Sequence, residues 1–139
     1  MSRPVHVLVV DDNPDDVDLL RLCLARAAAS CVLSVAEDGD RALATLRACP
    51  PGDPVRLVLL DLNMPGRSGR DVLREMRADP RLAGIPVVVL SSSDAPDDVA
   101  TLYRLGASCY LLKPTGLEEF RELARQLDAF WLRTALLPG

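Results

Sequence analysis

Five short apolar runs, each followed by an amphipathic stripe, predict an α/β fold in which a doubly wound parallel sheet carries helices on both faces. Three observations point there. The runs Val5–Val10, Leu57–Leu60 and Val87–Leu90 are almost unbroken β-branched or leucine residues, as strands buried on both faces require. Each connecting segment is long enough for one right-handed crossover helix. The stripes also begin at recognisable helix-start signals.

Taken in order, the first strand Val5–Val10 contains His6, which reads as a buried or edge histidine and not as an exposed phospho-carrier. Asn13 followed by Pro14 caps a helix whose stripe is Val17, Leu20, Leu24 and Ala28. Cys31–Ala36 is a weaker run broken by Ser34, an edge strand. Leu43 and Leu46 mark a second helix, which Cys49-Pro50-Pro51-Gly52-Asp53-Pro54 ends in a surface connection, because proline cannot continue a helix. After Leu57–Leu60, Ser68 with Asp71 resembles a capping box ahead of Val72, Leu73 and Met76. After Val87–Leu90, Pro96 with Asp97 and Asp98 opens a helix bearing Val99, Leu102 and Leu105. Ser108–Leu112 is the fifth strand, and Thr115 with Glu118 forms the capping box of the last helix. From Thr115 the stripe Leu117, Phe120, Leu123, Leu127, Phe130, Trp131 and Leu137 suggests about twenty helical residues, roughly 30 Å at 1.5 Å each. Strands span only about 17–20 Å. The last turns are therefore expected to overhang the sheet.

The chain has 139 residues, sixteen basic and twenty acidic, for a net charge of −4; hydrophobic types make up 49% and charged types 26%. This is the composition of one globular domain, residues 1–139, with a core over about 5–127 and a C-terminal extension over 128–139. No basic stripe exists to neutralise nucleic-acid phosphates. No apolar stretch approaches the roughly 18 residues of a membrane span, and Met1-Ser2-Arg3-Pro4 leads into the first run without a cleavage pattern, so a cytoplasmic address is expected. Cys23, Cys31, Cys49 and Cys109 are widely spaced beside a single histidine, which disfavours zinc and, in the cytoplasm, disulfides.

The polar residues gather where ligands bind in such a sheet. The first strand ends in Asp11-Asp12, the third in Asp61, the fourth in Ser91-Ser92-Ser93 and the fifth in Lys113-Pro114. With the flavodoxin-like strand order 2-1-3-4-5, the switch point lies between strands one and three, and the carboxylates converge at its carboxyl edge. Carboxylates brought together must raise a pKa or hold a cation. An oxygen-only donor set with open positions suits Mg²⁺. Asp15 and Asp16 are expected only to favour the helix N-terminus, an effect of about 0.3–1 kcal/mol. Carboxylates to hold metal, one of them to be modified, and a hydroxyl and an ammonium to grip phosphoryl oxygens are the parts that phosphoryl transfer requires.

These motifs resemble the response-regulator receiver domain of two-component signalling. The matching segments are Val9-Val10-Asp11-Asp12-Asn13, Leu60-Asp61-Leu62-Asn63-Met64-Pro65-Gly66, Pro86-Val87-Val88-Val89-Leu90-Ser91 and Gly106 through Pro114. The resemblance implies that Asp61 accepts a phosphoryl group from a sensor histidine kinase and that Asp11, Asp12, Asp61 and the Asn63 backbone carbonyl bind Mg²⁺. It further implies that Ser91 and Lys113 contact the phosphoryl group and that Tyr110 is an aromatic switch which turns inward. Serine at position 91 where threonine is frequent keeps the hydroxyl. The long loop before Leu57 and the ending Phe130-Trp131-Leu132 to Leu137-Pro138 resemble receivers that work with bacterial phytochromes.

Such a chain would signal by docking and would not be an enzyme beyond forming and losing its own acyl phosphate. A small Mg²⁺-dependent aspartyl-phosphate phosphohydrolase is the alternative, but a second aspartate two residues after the nucleophile would be its general acid, and that position holds Asn63. A flavodoxin-type electron carrier would need a hydroxyl- and glycine-rich phosphate loop where Asp11-Asp12 stand. Asn63 and Ser93 are expected to flank the site and influence hydrolysis. Phe130, Trp131, Leu132, Leu136 and Leu137 form an apolar ending, expected to be a homodimer interface.

Overall fold

The apolar runs form the strands of one parallel sheet: β1 Val5–Val10, β2 Cys31–Ala36, β3 Leu57–Asp61, β4 Val87–Ser91 and β5 Cys109–Leu112. Their order is β2-β1-β3-β4-β5, as expected. The structure is a computed structural model that describes residues 4–27, 31–64 and 66–138. Ala28 of the first stripe, Pro65 of the third-strand motif and Met1 to Arg3 lie outside the described residues. Between the strands run α1 Pro14–Arg26, α2 Gly39–Ala48, α3 Gly69–Ala78, α4 Pro96–Arg104 and α5 Leu117–Gln126.

Strand side chains alternate between two cores, as the two-residue period dictates. Leu8, Val10, Val58, Leu60, Val87 and Val89 meet α2, α3 and α4 through Leu43, Leu46, Val72, Leu73, Met76 and Leu102. Val7, Val9, Leu57, Leu59, Val88 and Leu90 meet α1 and α5 through Val17, Leu20, Leu24, Phe120 and Leu123. Each such side chain contributes about 1.5–3 kcal/mol on burial. The caps are largely those expected: the Asn13 side chain accepts from the amides of Asp15 and Asp16, and Ser68 accepts from Asp71.

The polar break in β2 has a partner. Ser34 Oγ lies 2.6 Å from His6 Nε2 on β1, so the histidine sits where it was expected and satisfies the edge strand. The loop between α4 and β5 is held by Arg77 of α3. Its Nε and one terminal nitrogen donate to the Gly106 carbonyl at 3.0 and 2.7 Å, and the other donates to Ala83 and Ile85 at 3.0 and 2.8 Å. Gly106 has φ 107°, and a Cβ there would stand 2.8 Å from Arg77 Nε. The four cysteines are unpaired. Among the described residues no helix is long and apolar enough to cross a membrane.

Two expectations at the C-terminal end are corrected. The last helix is not opened by a Thr115–Glu118 box. Gly116, at φ 86°, is its cap, and Glu119, one residue later, accepts from the Thr115 amide and hydroxyl. The left-handed glycine delays the helix by one residue, so Glu118 turns to Arg121 instead. Nor does the α-helix run on for about twenty residues. After Gln126 it becomes a π-helix, Leu127–Thr134, seen in the Ala135 amide donating to the Phe130 carbonyl and the Thr134 hydroxyl to Ala129, each five residues back. The wider turn aligns the four-to-five spacing of Leu127, Trp131 and Leu132, and Trp131, Leu132 and, past the helix end, Leu137 pack against the second core. Arg56 secures the tail by donating to the carbonyls of Leu137 and Pro138 at 2.9 and 3.3 Å. Instead of overhanging as a straight rod, the extension folds back, leaving Phe130 52% and Leu136 99% exposed.

Candidate functional site

The register brings the strand ends level. Val10 stands opposite Leu60, Asp61 opposite Leu90 and Ser91 opposite Leu112. Asp11, Asp61 and Ser91 thus emerge side by side, and all three are buried. Each aspartate accepts from the amide two residues on, Asn13 to Asp11 and Asn63 to Asp61, both at 2.9 Å. These turns orient the carboxylates as they leave the sheet. Gly69, at the start of α3, packs so closely behind Asp61 that a Cβ would lie 3.1 Å from the Asp61 carbonyl.

Carboxylate oxygens of Asp11, Asp12 and Asp61 lie within 4.8 Å of one another, with Asp12 exposed. Facing them is Lys113, whose amide donates to the Ser91 carbonyl at 2.7 Å. Its ammonium reaches Asp61 at 2.8 Å, Asp11 at 3.2 Å and Asp16 at 3.1 Å. Asp16 is the residue that sequence reasoning missed. Assigned there only to the helix dipole, it turns into the site from the first turn of α1 while Asp15 stays exposed. Position alone could have suggested it: an aspartate two residues beyond Pro14, at the start of a helix that rises directly from the acidic strand end.

Three carboxylates therefore share one ammonium, with Asp12 beside them, and Lys113 is the only lysine in the chain. Burial works against the Lys113 charge, but hydrogen bonds to Asp61 and Asp16 and the fields of Asp11 and Asp61 outweigh it, raising its pKa above the ordinary lysine value. Burial pushes the Asp11 carboxyl up. The Asn13 amide and Lys113 pull it down, Asp61 pushes it up, and the outcome is raised. An excess of desolvated carboxylate oxygen, with no nitrogen or sulfur donor in the cluster, is the donor set of a hard divalent cation.

The remaining expected residues take defined places. Ser91 Oγ accepts from the Ser93 amide at 3.1 Å, and Ser93 Oγ donates to Asp98 at 2.6 Å. Tyr110 is already half-buried against the first core, and its hydroxyl donates to the Ser93 carbonyl at 2.7 Å. Asn63 is exposed at the rim and donates to Ser92 Oγ at 3.2 Å. Phe130, Trp131, Leu132, Leu136 and Leu137 belong to the C-terminal extension, where they are divided between its exposed and core-facing sides.

Comparison with known proteins agrees with this geometry. Residues 7–125 match the response regulator receiver domain. Response regulator Rcp1 of Synechocystis sp. is 36% identical, over 99% of this chain and 96% of its own. The crystal structure of the phosphorylated cyanobacterial phytochrome response regulator RcpA superposes with a TM-score of 0.89 at 36% identity, covering 99% of this chain and 100% of that one. The Mn²⁺-bound form of Rcp1 gives 0.86 at 37% identity, covering 98% and 100%.

Proposed function

The chain belongs to the response regulator receiver domain family, and from that premise we propose that Asp61 accepts the phosphoryl group of a two-component phosphorelay in a Mg²⁺-dependent reaction. The observation that carries this is the Asp61 carboxylate, 2% exposed, held 2.8 Å from Lys113 beside Asp11 and Asp12. An oxygen of Asp61 bonds to phosphorus while the phosphorus–nitrogen bond of a kinase phosphohistidine breaks, its electron pair returning to the imidazole. Lys113 offsets charge on the phosphoryl oxygens. Ser91 donates its hydroxyl to one of them, a donor that its contact with the Ser93 amide leaves free, and moves toward the phosphoryl group with that contact attached. That movement would reach Tyr110 through the Ser93 carbonyl. Asp11, Asp12, Asp61 and the Asn63 carbonyl would hold Mg²⁺, which supplies charge neutralisation at the phosphoryl group.

The protein turns over nothing but its own acyl phosphate. Asn63 at the general-acid position of a phosphohydrolase supports this reading. A bacteriophytochrome kinase is the partner favoured by the likeness to a phytochrome response regulator. Acetyl phosphate with Mg²⁺ is the direct test. Intact mass should show one added phosphoryl group in the wild type and none in Asp61→Asn; equal labelling of both would refute the assignment.

The same reading includes a homodimer through the extension. Phe130 and Leu136 are its solvent-facing apolar residues, whereas Trp131, Leu132 and Leu137 support the second core. Phe130→Ser with Leu136→Ser should therefore yield a folded monomer by light scattering, with the wild type at twice the mass. Identical masses would dismiss the interface.

A further inference from the structure

An ammonium has three N–H donors, and that of Lys113 meets three carboxylates. Two of them, Asp11 and Asp61, belong to the cluster that suits a cation. A divalent ion there draws on both charges, and phosphorylation turns the Asp61 carboxylate into an acyl phosphate whose negative charge lies on the phosphoryl oxygens. Both contacts are altered by the reaction they serve. Asp16 stands outside that cluster and is altered by neither event. It is also well fixed, because its amide donates to Asn13 Oδ1 at 3.4 Å and its helix is anchored by Val17 and Leu20 in the second core.

We infer that Asp16 is a positioning residue that keeps the Lys113 ammonium over Asp61 while the other two partners change state. A lysine needs such a hold because it is a point charge on a flexible four-carbon stem. A purely electrostatic role has the opposite sign. A fourth carboxylate beside the site repels an anionic phosphodonor, so its removal would speed the reaction. The direction of the rate change separates the two roles.

The inference rests on Asp61 as acceptor, so two measurements are paired, one of which needs no phosphodonor. With each variant saturated in Mg²⁺, labelling by acetyl phosphate should slow about five- to tenfold in Asp16→Asn and recover in part in Asp16→Glu. Because Lys113 is the only lysine, ¹⁵N-lysine labelling yields a single side-chain ammonium resonance. In the Mg²⁺-loaded protein it should be visible in the wild type and broadened away in Asp16→Asn. Labelling as fast as wild type or faster overturns the inference, as does an ammonium signal that is the same in both proteins. If the wild type takes up no phosphoryl group, the acceptor assignment fails, and the ammonium resonance alone decides the role of Asp16.

Discussion

Lys113→Ala is expected to lower the stability of the metal-free protein by about 2–3 kcal/mol at pH 7, below the usual figure for breaking a buried ion pair because the ammonium is partly solvated. The side chain is 17% exposed, and its loss leaves Asp11 and Asp61 as neighbouring buried anions. The pH dependence fixes the cause. The Asp11 carboxyl is already raised by burial although Lys113 pulls it down, so the variant should raise it further above its unfolded value. A carboxyl raised on folding destabilises the protein when ionised, and the penalty fades as pH falls through the folded pKa. The variant should therefore recover stability as the pH is lowered from 7. In the wild type, the raised Lys113 pKa stabilises the fold throughout neutral pH. That contribution fades only as pH rises beyond the ordinary lysine range. Urea unfolding at pH 7 and 5, with and without Mg²⁺, measures all of this. Mg²⁺ should rescue the variant more than the wild type, and a deficit that deepens on acidification would contradict the account.

Arg77→Ala is expected to cost about 3 kcal/mol, roughly 10 °C in melting temperature. The guanidinium is half-buried and donates to three backbone carbonyls, Gly106, Ala83 and Ile85, on the two loops that lead into β4 and β5. Burial lowers its pKa from the ordinary arginine value, yet it remains charged at neutral pH. Removing it strands carbonyls that, among the described residues, have no other side-chain donor. Arg77→Lys should rescue little, because one ammonium cannot reproduce the planar fork that spans both loops. Calorimetry of the two variants is the check, and a lysine variant that melts with the wild type would show that charge, not geometry, is what matters there.

The strands were legible because parallel strands buried on both faces need unbroken apolar runs, and Val5–Val10 and Cys31–Ala36 match their expected limits. The caps at Asn13 and Ser68 were legible because their side chains act locally. The strand-end residues Asp11, Asp61 and Lys113 could be placed together because topology alone determines where parallel strands finish. What escaped depends on turns and contacts that have no short-range signature. Gly116 enters the left-handed region and moves the last cap by one residue. Eight residues are too few to distinguish a five-residue ladder from a four-residue one, so the π-helix at Leu127–Thr134 read as ordinary helix. The inward packing of Trp131 and Leu132 follows from that change. Asp16 resembled every other acidic residue in a first helical turn; only its distance from Lys113 sets it apart.

Arginine occupies every basic position except one, and the exception lies at the centre of the acidic pocket. The protein thus has a single side-chain amine, and acylation of side-chain amines has a binary outcome. A chain that escapes it keeps the ammonium of the pocket, whereas one that is modified has lost the charge that meets Asp11, Asp16 and Asp61. No surface lysine stands elsewhere to absorb the reagent as a harmless decoy.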